Sequence, residues 1–253
     1  LRRAAALAAL VTLVLAACGD DEQDGAVAAK PRLVVSAASS MTEALGACSP
    51  DFADATVRLS FAGSDELAAQ IRQGVKPDVY AAANTRLPEE LSDEGRLGKP
   101  VEFATNQLVL AVPTGSSIAS LADLAEGGVK IAIGADSVPI GAYTRETLAK
   151  LPAAQERAIL DGVRSNEPDV KGIVGKLTQG AVDAAFVYVT DVKAANGELE
   201  AIELPRGLEP EVTYAAGVVE GAKQPQQAQA YLDGLVEGGC ADALGEAGFG
   251  PAP

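Results

Sequence analysis

From Arg32 onward the chain switches repeatedly between two hydrophobic periods. Short apolar runs bounded by turn residues, at 33–36, 57–61, 78–83, 107–112, 129–133, 183–189 and 212–219, read as strands. Between them the apolar positions move to helical spacing. Met41, Ala44, Leu45 and Cys48 share one face, and Leu67 and Ile71 share another on a helix that Gly74 can end. Further helices are predicted at 87–94 with Gly95 as the stop, at a short segment opened by Ser120, and at 142–151 and 156–163. Three more are predicted at 170–178, capped by Glu167-Pro168-Asp169 and ended by Gly180, at 224–236 and at 240–247. The stretch 135–141 reads as a turn through Pro139.

Strand and helix in alternation predict an α/β protein with mainly parallel sheets flanked by helices. Two lobes fit better than one sheet. The residues between Pro113 and Val212 form their own strand–helix series, and the closing strand and helices lack partners unless the chain returns to the first lobe. The expected division is 32–111 with 213–253 as lobe I and 112–212 as lobe II. Ligands of such sheets lie beyond the carboxyl ends of the strands, which places a ligand in the cleft between the lobes.

Twice near the start, a strand runs into a serine that opens a helix, at Ser39-Ser40 and at Gly63-Ser64. A helix start carries N–H groups with no partner inside the helix, and a neutral hydroxyl beside them completes a site for a small anion without lysine or arginine. Taken singly, each serine has an ordinary reading. Ser40 with Glu43 fits a capping box, Ser64 can cap in the same way, and Gly63 permits close approach to its backbone.

Composition narrows the function. The 253 residues carry 20 basic and 35 acidic side chains, a net charge of −15, with no basic cluster to neutralise phosphates, so no nucleic-acid partner is expected. Histidine is absent, which removes the commonest general base and the commonest zinc ligand. Arg2 and Arg3 precede an apolar run at 4–17 that is short for a membrane span. The run ends in Leu15-Ala16-Ala17-Cys18-Gly19, which resembles a lipobox. That resemblance implies a lipoprotein signal peptide at 1–17, acylation of Cys18, and a flexible tether over 18–31, with the protein held at the outer face of the cell membrane by its lipid alone. The alternative is a plain signal peptide with an incidental cysteine. Setting Cys18 aside leaves Cys48 and Cys240, which outside the cytoplasm can form a disulfide from the first helix to the last; two free buried thiols are the alternative.

Seven segments in order resemble the molybdate-binding proteins of bacterial ABC importers: Ala38-Ser39-Ser40-Met41-Thr42-Glu43-Ala44-Leu45, Ser60-Phe61-Ala62-Gly63-Ser64, Pro77-Asp78-Val79-Tyr80-Ala81-Ala82-Ala83, Asn106-Gln107-Leu108-Val109-Leu110, Val138-Pro139-Ile140-Gly141-Ala142-Tyr143, Asp169-Val170-Lys171-Gly172, and the run from Asp183 through Tyr188 to Asp191. Gly248-Phe249 matches the C-terminal end, so the resemblance covers Arg32 to Phe249. It implies a type II periplasmic-binding fold whose two lobes close over a tetrahedral oxyanion, molybdate or tungstate. It further implies a permease partner, a monomer, no catalytic activity and no cofactor. Matched motif to motif, the ligand contacts fall on the hydroxyls of Ser40 and Ser64, the backbone N–H groups of Ile140 and Val170, and the phenol of Tyr188. Ser39 is an alternative to Ser40 because the serine is doubled. Locally, Ile140 follows Pro139 in the turn, Val170 opens a helix, and Tyr188 ends a buried strand.

The sequence departs from the family pattern at Asp65, which could repel an anion or point outward toward the helix dipole, and at Asn84, where an aspartate is common. A dianion losing its water needs a donor for every oxygen, and bonds to charged groups contribute about 1.5–3 kcal/mol each. Neutral donors suit a fully deprotonated anion and leave the hydrogen of a protonated one unpaired, which disfavours hydrogen phosphate. Sulfate or another small oxyanion on the same scaffold is the alternative ligand. A hydrolase using Ser40 or Ser64 is the alternative activity, but it lacks a histidine base, and neither serine stands in a Ser-x-x-Lys motif.

Overall fold

The chain crosses twice between two five-stranded sheets, and the crossings decide where everything else lies. A computed structural model describes residues 29–253; the expected signal peptide, Cys18 and most of the tether fall outside the described residues. The first lobe begins with β1 (Arg32–Ala38), a 3-10 turn at Ser39–Met41, α1 (Thr42–Cys48), β2 (Thr56–Ala62), α2 (Ser64–Arg72), β3 (Val79–Ala82), α3 (Arg86–Asp93) and β4 (Val101–Asn106). The second lobe holds β5 (Leu108–Pro113), α4 (Leu121–Ala125), β6 (Ile131–Gly134), α5 (Pro139–Ala149), α6 (Ala153–Asp161), β7 (Val163–Glu167), α7 (Val170–Thr178), β8 (Ala184–Tyr188), α8 (Val189–Ala194) and β9 (Leu199–Glu203). The chain then returns through β10 (Val212–Val218), α9 (Pro225–Val236) and α10 (Gly239–Ala247).

The strand orders are β2-β1-β3-β10-β4 and β7-β6-β8-β5-β9. In each sheet four strands run one way and one runs against them: β10 pairs antiparallel with β3 and β4, and β5 pairs antiparallel with β8 and β9. The reversed strand is in both cases the first one after a crossing. The mainly parallel α/β architecture expected from the alternation is therefore present, with one reversed strand per sheet. Central strands are apolar on both faces, as a strand covered by helices must be. Ile131, Ala132 and Ile133 in β6, and Ala185, Phe186 and Val187 in β8, are buried.

The division of the chain needs a correction. Leu108–Pro113 pairs with β8 and β9 of the second sheet, so the first crossing falls at Asn106–Leu108, several residues before the expected boundary at 111/112. The apolar run 107–112 carries no mark of which sheet it joins, because burial on both faces reads alike in either lobe. Three strands also escaped the periodicity, β4, β7 and β9. Pro139 is the first residue of α5, so 139–141 is helix where a turn was expected. Helix α6 ends at Asp161, and Val163 already belongs to β7.

Cys48 at the end of α1 and Cys240 in α10 are joined in a disulfide with Cα atoms 5.1 Å apart. The bond fastens the last helix against the helix that the Ser39-Ser40 turn opens. Among the described residues no helix is long and apolar enough to cross a membrane.

Candidate functional site

All the carboxyl ends that matter meet at one cavity. Its lining comes from the ends of β1, β2 and β3 in the first lobe, and from the loop after β6, the start of α7 and the end of β8 in the second. Ser39, Ser40, Ser64, Ile140, Val170 and Tyr188, the six residues singled out in the sequence, all line it. The cavity is small, with room for about one water-sized guest.

The lining residues have definite origins. Ser64 is the first residue of α2, behind the N-cap Gly63. Ile140 is the second residue of α5 and Val170 the first of α7, so both N–H groups belong to helix starts, which lack intrahelical partners. The Ile140 N–H thus belongs to a helix terminus and not to the expected turn. Asp169 also borders the cavity, but its Oδ1 accepts from the Gly172 N–H at 3.0 Å as the cap of α7, which engages the carboxylate with the helix.

Neither serine hydroxyl caps its own helix. Ser64 Oγ accepts from the Ala83 N–H at 3.1 Å, and Ser40 Oγ lies 2.9 Å from the Tyr214 hydroxyl. The capping readings of both residues are therefore set aside, because tertiary partners take the side chains. Those partners are a backbone amide and a phenol, and no base stands against either hydroxyl in these bonds. Tyr188 is fully buried, and its Oη has no hydrogen-bond partner among the described residues. Burial, then the nearby Tyr214, Tyr143 and Asp191, push its phenol well above the usual tyrosine pKa, so it stays a neutral donor.

Three contacts hold the lobes together around the cavity. A methyl group at Gly63 would fall inside 3.0 Å of the Pro168 carbonyl oxygen, so the two lobes touch backbone to backbone there. Lys171 Nζ, next to Val170, reaches Glu43 of the first lobe at 2.8 Å and the buried Asp191 at 3.1 Å. Burial opposes the charge on Lys171, but Asp191 and Glu43 outweigh it and its pKa is raised. Asp191, which also accepts from the Tyr188 N–H at 3.3 Å, is pushed up to about 6 by burial, against the pull of Lys171. Asn106 at the first crossing donates to Thr190 Oγ1 of the second lobe at 3.0 Å.

The two departures have local roles. Asn84 Oδ1 accepts from the Leu87 N–H at 3.2 Å, at the start of α3. Asp65 does not line the cavity; its Oδ1 is buried without a partner beside Gly63. Tyr214, Asn106 and Pro168 were not anticipated as parts of the site. Tyr214 stands in a strand legible from its apolar alternation, but nothing in that pattern marks a hydroxyl for Ser40. Among the described residues no group of three or more histidine, cysteine, aspartate or glutamate side chains could hold a metal ion.

Chemically, the cavity gathers two hydroxyls, a phenol and helix-terminal N–H groups, with no lysine or arginine in its lining. Such a set solvates a small, fully deprotonated anion by hydrogen bonds alone.

Comparison with known proteins gives the same picture. The family described as bacterial extracellular solute-binding protein matches residues 33–250. The "Molybdate-binding protein ModA" of Mycobacterium tuberculosis (strain ATCC 25618 / H37Rv) is 29% identical over 254 residues, covering 96% of this chain and 95% of that protein. The "Putative ABC transporter substrate-binding lipoprotein YvgL" of Bacillus subtilis (strain 168) is 29% identical over 235 residues, covering 88% of each. Among solved structures, the Azotobacter vinelandii periplasmic molybdate-binding protein superposes with a TM-score of 0.76 at 19% identity, over 86% of this chain and 98% of that one, and shares the fold.

Proposed function

This chain belongs to the bacterial extracellular solute-binding protein family, and from that premise we propose that it captures molybdate outside the cytoplasm and delivers it to the permease of an ABC importer. Tungstate, nearly the same size, is bound as well. The hydroxyls of Ser40 and Ser64, the N–H groups of Ile140 and Val170 and the phenol of Tyr188 surround the anion, with Ser39 beside Ser40 in the same turn. The observation that carries this reading is the Tyr188 hydroxyl. It is buried without a partner in a residue that borders a cavity where the other predicted donors also meet. A buried unpaired hydroxyl costs about 1–3 kcal/mol, which an anion accepting its hydrogen recovers.

The relative at 29% identity named for molybdate supports the choice of ligand. The lipobox resemblance and a relative named as a lipoprotein support anchoring through Cys18. The Cys48–Cys240 disulfide fits an oxidising compartment. The protein works as a monomer that binds its solute between lobes and presents the closed form to the permease.

Calorimetry with molybdate, tungstate, sulfate and hydrogen phosphate tests the proposal. Tyrosine fluorescence offers a second signal, because the chain has no tryptophan. Tight binding of the first two with weak binding of sulfate is expected. Heat from sulfate alone would reassign the ligand, and silence from all four would overturn the reading.

A further inference from the structure

Behind Ser40 lies a short chain of hydrogen bonds whose direction is fixed at its far end. Asn106, the last residue of β4, accepts from the Gln107 N–H through Oδ1 at 2.8 Å. A backbone N–H can only donate, so this bond identifies the oxygen of the amide and leaves Nδ2 as the donor. Nδ2 donates to Thr190 Oγ1 at 3.0 Å and to Tyr214 Oη at 3.4 Å. Tyr214 is fully buried, and burial holds its phenol well above the usual pKa, so it keeps its hydrogen. Having accepted from Asn106, it gives that hydrogen to Ser40 Oγ at 2.9 Å. The reverse polarity would leave the Tyr214 hydrogen without an acceptor, because its other partner, Asn106 Nδ2, is a donor and the neighbouring Tyr188 Oη is not in hydrogen-bond geometry with it. A serine oxygen that accepts from behind turns its own hydrogen forward, toward the cavity that Ser40 lines. Ser64 is driven in the same way, with the Ala83 N–H as its rear donor. The difference is that the Ser64 donor is backbone and cannot be altered, whereas the Ser40 donor is set by two side chains.

We infer that Tyr214 and Asn106 are positioning residues that commit the Ser40 hydroxyl to donation, and so make the cavity discriminate against oxyanions that still carry a hydrogen. The inference rests on the oxyanion reading above and adds to it the origin of its proton selectivity. With both hydroxyls facing forward as donors beside the helix-start N–H groups, the hydrogen of hydrogen phosphate meets another hydrogen. Molybdate and sulfate present oxygens alone.

Two substitutions separate this role from simple packing. Tyr214→Phe keeps the ring and its edge contacts with Phe103, Tyr188 and Phe249 while removing the rear donor. Asn106→Asp is isosteric but places an acceptor behind Tyr214, which reverses the chain and draws the Ser40 hydrogen back from the cavity. The wild type and both variants are titrated with molybdate, sulfate and hydrogen phosphate at mildly alkaline pH, with melting temperature as the check on folding. All three anions are then dianions, so the added carboxylate acts on each alike and cancels in their ratios. Sulfate controls for size.

Tyr214→Phe is expected to weaken molybdate about fivefold, in the range of one hydrogen bond. Asn106→Asp is expected to lower the preference for sulfate over hydrogen phosphate at least about tenfold, the scale of an outer hydrogen-bond partner. Parallel loss of all three anions, or unchanged ratios, would overturn the inference. Should Asn106→Asp fail to melt cooperatively, Tyr214→Phe decides: a lowered sulfate-to-hydrogen-phosphate ratio supports the inference and an unchanged one overturns it. A wild type that binds none of the anions defeats the functional reading itself, whereas wild-type binding with unaltered variant ratios defeats this inference alone.

Discussion

The contact between Gly63 and Pro168 gives the sharpest test of lobe closure. Gly63 has φ −60° and ψ 139°, extended backbone open to any residue, so its need for glycine is not conformational. The need comes from the opposite lobe, where the Pro168 carbonyl oxygen would lie inside 3.0 Å of an alanine methyl. An ordinary C···O approach needs ~3.3 Å or more, so Gly63→Ala forces the lobes apart by roughly 1 Å at this point. Val170 stands two residues beyond Pro168, and hydrogen bonds of about 2.7–3.2 Å do not survive that displacement. Losing the N–H groups of Val170 and Ile140 from the guest removes two charge-assisted bonds of about 1.5–3 kcal/mol each. Affinity for molybdate should then fall by about 10²–10⁴-fold. The unliganded protein should melt within a few degrees of the wild type, because the Pro168 contact is relieved when the lobes part and the methyl's other close neighbour, Asp65 Oδ1, ends a side chain that can turn aside. Calorimetry reads the affinity, and small-angle scattering with and without molybdate reads the closure. An alanine variant that binds within threefold of wild type and still contracts on adding ligand would refute the reasoning.

Three further outcomes follow from the same geometry. Tyr188→Phe should move two measurements in opposite directions. Relieving the unpaired buried hydroxyl raises unliganded stability by about 1 kcal/mol, while losing a donor to the anion lowers affinity about 10–100-fold; no change in either would contradict the placement of the phenol. Asp191 is an acid whose folded pKa, about 6, lies above its usual value of 3.8, so its contribution favours the folded state below about pH 4 and is lost as pH rises through 6. Denaturant titrations should show the wild type losing up to about 3 kcal/mol across that window relative to Asp191→Asn, and parallel pH curves would exclude it. Reducing the Cys48–Cys240 bond, which closes a separation of 192 residues, should cost about 3–5 kcal/mol, seen as a melting shift of about 10 °C, with molybdate affinity nearly kept.

Much of this architecture was legible because burial on both faces forces plain apolar runs, as in Leu33–Val35 and Ala184–Val187. The strands that escaped notice are polar for a physical reason. β7 (Val-Arg-Ser-Asn-Glu) and β9 (Leu-Glu-Ala-Ile-Glu) are sheet edges, half exposed, and their charges keep the open edge from pairing with other chains. β4 is an edge as well, with Glu102 and Asn106 interrupting its apolar positions. The cavity-lining residues Ser40, Ser64, Ile140, Val170 and Tyr188 were singled out by matching motifs in order. The residues behind and across from them were not, because the Tyr214–Ser40 bond spans 174 positions and the Gly63–Pro168 contact joins two lobes. Pro139 did hold a readable signal, since proline commonly opens a helix, and reading it that way places the Ile140 N–H at a helix start.

The position of β10 bears on how the chain reaches its working state. This strand lies between β3 and β4, yet it is made after the whole second lobe. Until Val218 has emerged, the opening sheet has a gap beside β3 and cannot finish, whereas all five strands of the second sheet lie within 108–203. A polypeptide arranged in this way keeps its leading half loose during synthesis.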